Sequence, residues 1–317
     1  MFCKKINLFL KKIVQANQTI SIQTAMKTIS TLICITILIM TGCNNASDID
    51  PVITIEYVDV GTDRIAYKVS GSGFPLLMCM GYSGTMDLWQ PKVINRLSEQ
   101  FQVIMYDYPG MGYSTTQDTA FSMKGLAANA AHFLTAIHVE QAHVLGWSMG
   151  TNVAQELALN YPHQIKKVIL YAGDCGDTIA IEPPEWVADI LTADDPSPID
   201  MLRTLFPDEW LAAHPDPLEY FPEPTETSDP AIVAMQWAAF TKWNEAGGGS
   251  ADRLSSFTQA VLLLTGDQDV CTPTANSYIL LDSIPLASLI LLEGCGHGAM
   301  YQLPDKFSDY VLAFLLN

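Results

Sequence analysis

Residues 142–160 read AHVLGWSMGTNVAQELALN. A short run of strand-forming residues leads into Gly146, Ser148 and Gly150, and a good helix-forming sequence follows. A serine bracketed by glycines at a strand-to-helix junction has a physical reason. The turn is tight, side chains beside it would crowd the serine, and the hydroxyl is left exposed as a nucleophile. A G-x-S-x-G pattern alone arises by chance; the strand before it and the helix after it give it weight.

A serine hydroxyl is a weak nucleophile at its own pKa, so it requires a base, an acid that orients the base, and donors for a developing oxyanion. For the base, the stretch LILLEGCGHGAMYQLP places His297 in a glycine-rich loop directly after an apolar run. The other histidines fit worse. His132 and His138 fall on a helix, His143 starts the strand that leads to Ser148, His163 follows Tyr161-Pro162 in a turn, and His214 lies in a proline-rich region. For the acid, VLLLTGDQDVCTP puts Asp269 just past a strand. Asp267, two residues earlier, and Asp174 in YAGDCGD are its rivals, and Asp267 is the one better suited to capping a helix from Pro273.

Outward from the serine, strand and helix alternate. The runs ITIEYVDV and RIAYKVS predict a hairpin about Gly61-Thr62, and PLLMCM, FQVIMY, AHVLGW, KKVILYA, QAVLLLTG and ASLILLEG predict further strands. Helices are expected over Leu88–Leu97, Met123–Ile137, Met149–Asn160 and Lys306–Leu316. Short apolar strands separated by helices imply a mostly parallel central sheet covered on both faces, an α/β fold. The rhythm breaks after Ala172, where prolines and tryptophans crowd among short helical pieces. Proline at that density breaks long helices, so this stretch reads as an irregular helical cap inserted after the sixth strand. Gly247-Gly248-Gly249 marks its return.

Ahead of the sheet, MKTISTLICITILIMTGCNN has a basic start, an apolar run and the small residues Thr41-Gly42 before Cys43, the pattern of an export signal. It resembles a bacterial lipobox, in which the cysteine is acylated and becomes the new N-terminus, with Met40 where leucine is usual. The organisation expected is a signal peptide over 1–42, a tether over 43–51, core over 52–173, cap over 174–251 and core again over 252–317. That implies an extracytoplasmic protein held at a membrane by a lipidated Cys43.

The chain has 317 residues with 16 Lys and Arg against 34 Asp and Glu, a formal charge of −18. Five of the basic residues and none of the acidic ones precede Asn44, so removal of the signal makes the balance more negative. Such a surface repels phosphates, so nucleic acid is not expected as a partner. No C-x-x-C spacing suggests a metal. Export permits disulfides among Cys79, Cys175, Cys271 and Cys295, and buried free thiols are the alternative.

Taken together, the order Ser148, Asp269, His297 and the segments LLMCMGYSGTMDLWQP, VIMYDYPGMGYS and GHGAMYQLPDKF resemble the α/β-hydrolase superfamily, particularly capped bacterial esterase-like members, over roughly Val52 to Leu316. The resemblance implies a Ser148–His297–Asp269 triad and an oxyanion hole made by the backbone amides of Tyr82 and Met149. Met80-Gly81 stands where many relatives have His-Gly. Asp107 is expected to hold its own loop, and Trp147 and Trp89 either line a substrate pocket or pack. Serine rather than aspartate as nucleophile argues against dehalogenase and epoxide hydrolase chemistry. The expected function is cofactor-free hydrolysis of a carboxylic ester, or a related acyl bond, of a small neutral or apolar molecule. The alternatives are a cofactor-free haloperoxidase or perhydrolase, and a non-catalytic binding protein on the same scaffold.

Overall fold

The computed structural model of the chain describes residues 54–193 and 197–317. The expected signal, Cys43 and the tether lie outside the described residues. Eight strands form one sheet: β1 (Glu56–Val60), β2 (Asp63–Ser70), β3 (Phe74–Cys79), β4 (Phe101–Tyr106), β5 (Ala142–Trp147), β6 (Ile165–Tyr171), β7 (Ala260–Gly266) and β8 (Ala287–Leu292). Their order is β1-β2-β4-β3-β5-β6-β7-β8. β1 and β2 pair as the predicted hairpin, closing at Val60 opposite Asp63 with Gly61 at φ 61°, and β2 meets β4 antiparallel. All later pairings are parallel. Every residue of β5 is buried, as expected where helices cover both faces of a parallel sheet.

Chain order reverses at β3, which has β4 on one side and β5 on the other. At such a switch point the loops leaving neighbouring strands diverge and open a crevice beyond their carboxyl ends. The loop after β3 and the turn carrying Ser148 flank that crevice.

Helices α1 (Pro91–Ser98), α2 (Met123–Ala136) and α3 (Met149–Asn160) belong to this half. The first begins three residues later than its apolar pattern predicts. Pro91 sits in its first turn and the Gln90 side chain caps it by accepting the Lys92 N–H at 2.6 Å. Met86–Leu88 is instead a single 3-10 turn.

Between β6 and β7 lie α4 (Glu185–Thr192), α5 (Pro198–Leu205), α6 (Asp208–Ala213) and α7 (Pro230–Asn244). The prolines that looked disruptive mark where helices begin: Pro198 and Pro230 stand in first turns, Pro184 and Pro207 just before them. A first-turn N–H has no intrahelical acceptor, so its loss costs nothing there. The chain closes with α8 (Ala275–Ser283), α9 (Ala299–Gln302) and α10 (Pro304–Leu316).

Both ends of the insertion are fastened to α3. Gln155 is fully buried, and its amide donates to the Asp174 carbonyl at 2.8 Å and accepts from the Ser250 hydroxyl at 2.7 Å. The Ser250 N–H also donates to the Cys175 carbonyl. One residue on, the Glu156 carboxylate takes Arg253 at 2.6 and 3.0 Å, with its own side chain 1% exposed. Arg253→Met is therefore expected to strand a buried carboxylate and cost about 2–3 kcal/mol, read as a lower Tm. Adding Glu156→Gln should restore most of the loss; a single variant as stable as wild type would overturn this account.

Candidate active site

β5 ends at Trp147 and α3 begins at Met149, which leaves Ser148 alone to make the turn at φ 55° and ψ −126°. This is the left-handed region, where a non-glycine residue is held against a cost of about 1–3 kcal/mol. Its own N–H donates to the Tyr171 carbonyl, and its carbonyl accepts from the Thr151 N–H and hydroxyl. The flanking glycines are required by packing. A Cβ on Gly146 would strike the Gly150 carbonyl, and one on Gly150 would strike the Cys79 carbonyl at the end of β3.

Ser148 opens onto a cavity of about 410 Å³. Trp147, Met149 and His297 share its floor, Gly81–Thr85 after β3 form one wall, and the insertion roofs it with residues such as Met201, Leu205, Phe221, Trp237 and Phe240. Among the described residues no lysine or arginine lines the cavity, and the acids that do are Asp174 and Glu182. The loop after β3 presses close, since a Cβ on Gly81 would lie 3.3 Å from the Ser148 Cβ. Tyr82 and Ser83, the next residues, also face the cavity. Asp107 braces this loop. Its buried carboxyl accepts the Met86 N–H at 2.7 Å and the Tyr113 N–H at 2.9 Å, and burial pushes its pKa up to about 7.

His297 sits in the loop after β8, 3% exposed, with Nδ1 at 2.9 Å from Asp269 Oδ2. A carboxylate can only accept, so Nδ1 carries the proton and Nε2 is left as the basic nitrogen. Asp269 Oδ1 accepts the N–H groups of Cys271 and Thr272, each at 2.9 Å. Burial works against an imidazolium here, but the adjacent Asp269 carboxylate, with Cys271 acting in the same direction, outweighs it and holds His297 well above the ordinary histidine pKa. The loop is pinned to the serine's strand and to its neighbour β6: the His297 carbonyl accepts the Trp147 indole N–H at 3.2 Å and the Tyr171 hydroxyl at 2.7 Å.

The rival acids are placed elsewhere. Asp267 is exposed and accepts the Gly294 N–H, so it holds the turn after β8 rather than capping α8. Asp174 lines the cavity but binds the Gly176 N–H at 2.8 Å, and burial raises its pKa. Of the two tryptophans, Trp147 lines the cavity, whereas Trp89 is 2% exposed and packs behind it with ring centroids 6.4 Å apart. His143 packs between Phe74 and Phe101; its burial, and after it the charges of Lys167 and Lys166, bring its pKa down to about 4. All four cysteines among the described residues are free thiols. Two buried glutamines gave no sign of a role in the sequence: Gln155, and Gln236 on α7, whose amide oxygen accepts the Ser83 N–H at 3.0 Å.

A parallel sheet with a serine elbow beyond β5 and a carboxylate–imidazole pair beyond β7 and β8 defines a hydrolase architecture. The family model described as alpha/beta hydrolase fold matches residues 75–303, and the chain belongs to the α/β-hydrolase family. It is 28% identical over 265 residues to "Putative carbamate hydrolase RutD" of Azorhizobium caulinodans, covering 81% of this chain and 97% of that one. It is 26% identical over 278 residues to the 2-hydroxymuconate semialdehyde hydrolase of a Pseudomonas species, covering 86% and 96%. Among solved structures, an alpha/beta hydrolase fold protein from Chitinophaga pinensis superposes with a TM-score of 0.71 at 25% identity, covering 83% of this chain and 98% of that one. A thermophilic esterase from Thermogutta terrifontis gives 0.69 at 20% identity, covering 83% and 98%, and shares the fold.

Proposed function

We propose that this hydrolase cleaves a carboxylic ester of a small neutral or apolar molecule through an acyl-enzyme on Ser148. The observation that carries the reading is the strained Ser148 turn on the floor of an apolar cavity that it shares with the His297–Asp269 pair. In the first half-reaction, His297 Nε2 takes the Ser148 proton as the oxygen bonds to the acyl carbon, and returns it to the departing alkoxide. Water then bonds to the acyl carbon, giving its proton to His297, and the Ser148–acyl bond breaks as Ser148 is reprotonated. The carbonyl oxygen, negative in both tetrahedral intermediates, takes hydrogen bonds from the backbone N–H groups of Tyr82 and Met149, the latter at the positive end of α3. Asp269 keeps the imidazole in the tautomer that leaves Nε2 free.

The absence of cationic side chains among the described residues around the cavity disfavours carboxylate- or phosphate-bearing substrates, and its aliphatic and aromatic roof favours apolar acyl groups. The relatives named as carbamate and semialdehyde hydrolases act on other substrates with the same family fold; the preference for an ester here rests on the apolar lining around Ser148. A peroxide-accepting variant of the same chemistry is the competing reading. We further propose that the protein works outside the cytoplasm, tethered through a lipidated Cys43.

A panel of p-nitrophenyl esters of increasing acyl length tests the reading. kcat/KM should rise about fourfold per added methylene until the roof is filled, from the ~0.8 kcal/mol that each buried methylene contributes. A hemisuccinate ester of matched length should be a poor substrate. Failure to hydrolyse any ester, together with failure of a fluorophosphonate to label the protein, would overturn it.

A further inference from the structure

We infer that Gln236 is a positioning residue through which the inserted helices set the oxyanion loop, so that the loop is correctly shaped only when α7 is seated over the cavity. The inference rests on the acyl-transfer reading above, in which the Tyr82 N–H faces the oxyanion. Three observations lead to it.

Ser83, the residue after that donor, has φ 61°. A serine in the left-handed region is held there by its surroundings rather than by preference, and the peptide joining it to Tyr82 restrains the far side of the residue whose own N–H is assigned to the oxyanion. Gln236 reaches across from α7 and accepts the Ser83 N–H at 3.0 Å. It is 0% exposed, and its Nε2 has no partner among the described residues. Burying half an amide without a partner is unfavourable, so the side chain's contribution lies in the oxygen that meets the loop. Beside it, Trp237 packs on Tyr82 with ring centroids 5.3 Å apart. The same turn of α7 therefore holds the loop at two successive residues, one through backbone and one through a ring.

The consequence is a coupling between roof and reaction. With α7 lifted, the loop loses the acceptor for the Ser83 N–H and the ring against Tyr82, so the Tyr82 N–H is less firmly aimed at the oxyanion; with α7 seated, the donor is held. Substrate enclosure and transition-state stabilisation are thereby one event.

The test compares wild type, Gln236→Met and Gln236→Glu in the full protein. Methionine keeps the volume and removes both the acceptor and the unpartnered N–H; the relief of the one offsets part of the loss of the other, so Tm should fall by no more than a few degrees and the protein should remain folded. Glutamate keeps an oxygen where Ser83 needs one. For Gln236→Met, kcat should fall about tenfold with KM within about twofold, a part of the 10²–10³ that outright loss of an oxyanion donor costs. The Ki of an alkyl boronic acid, which forms a tetrahedral adduct on serine, should rise in proportion. Amide exchange in the peptide spanning Ser83 should quicken, and Gln236→Glu should recover most of kcat. A Gln236→Met variant with wild-type kcat, with KM alone altered, or with unchanged Ser83 exchange would overturn the inference. A wild type that neither turns over esters nor reacts with fluorophosphonate would overturn the acyl-transfer reading instead, and the two failures are distinguished by which protein shows them.

Discussion

Ser148→Ala is expected to lower ester turnover by about five to six orders of magnitude, to the residual level that oxyanion donors and binding alone provide. The reason is specific to this turn. Gly146 and Gly150 pack against neighbouring backbone with no spare volume, so no adjacent side chain can slip into the serine's place. The substitution keeps a Cβ on the same strained backbone, so Tm should change little, and the loss cannot be ascribed to unfolding. Boronic acid affinity should collapse, whereas binding of an uncleavable ether analogue of the substrate should survive. Turnover above about 1% of wild type in a preparation free of contaminating esterase would remove Ser148 from the chemistry.

Asp269→Asn carries the second large expectation, a loss of about 10⁴ in kcat. The two backbone N–H groups of Cys271 and Thr272 demand an oxygen at the Oδ1 position. An asparagine there must keep its carbonyl on them and turn its NH₂ toward His297 Nδ1. Two donors cannot face each other, so the imidazole proton moves to Nε2 and the base is lost. The pH profile supplies an independent readout. The Asp269 carboxylate holds the His297 pKa up, and only the neutral imidazole accepts a proton from serine. The acid limb of kcat/KM in wild type therefore lies above the usual histidine range and should move to lower pH when the negative charge is removed. Asp174→Asn, by contrast, should change kcat by less than about tenfold. A larger loss from Asp174→Asn than from Asp269→Asn would reverse the assignment of the acid.

Much of this arrangement can be read from residue order, and the parts that cannot have a common cause. The strands are legible because residues buried on both faces leave unbroken apolar runs, and the Ser148 turn is legible because two glycines are needed where three backbones converge. Among Asp174, Asp267 and Asp269 the sequence favours Asp269 without excluding the others. All three follow strands in the same sheet, and only the path of the β8 loop decides which carboxylate the imidazole reaches. Trp89 and Trp147 look alike in sequence, yet one lines the cavity and the other stands behind it. Apolar periodicity continues through Leu88 and Trp89 and places the expected start of α1 three residues early, whereas Pro91 and its Gln90 cap fix the first turn. Gln155 and Gln236 are silent in the sequence, since a glutamine among apolar helix residues does not disclose which distant backbone it will meet.

The Gln155 amide touches the first and the last stretches of the inserted segment, at Asp174 and Ser250. Two chain ends gathered at one side chain can be bridged by a short peptide, and closing a loop of any length between fixed points costs only a slowly growing entropy. Lids of different length and shape could thus be transplanted onto this platform, provided that each keeps an acceptor for the Ser83 N–H where Gln236 now supplies one. Such grafts would retune what enters the chamber while the Ser148 turn beneath stays as it is.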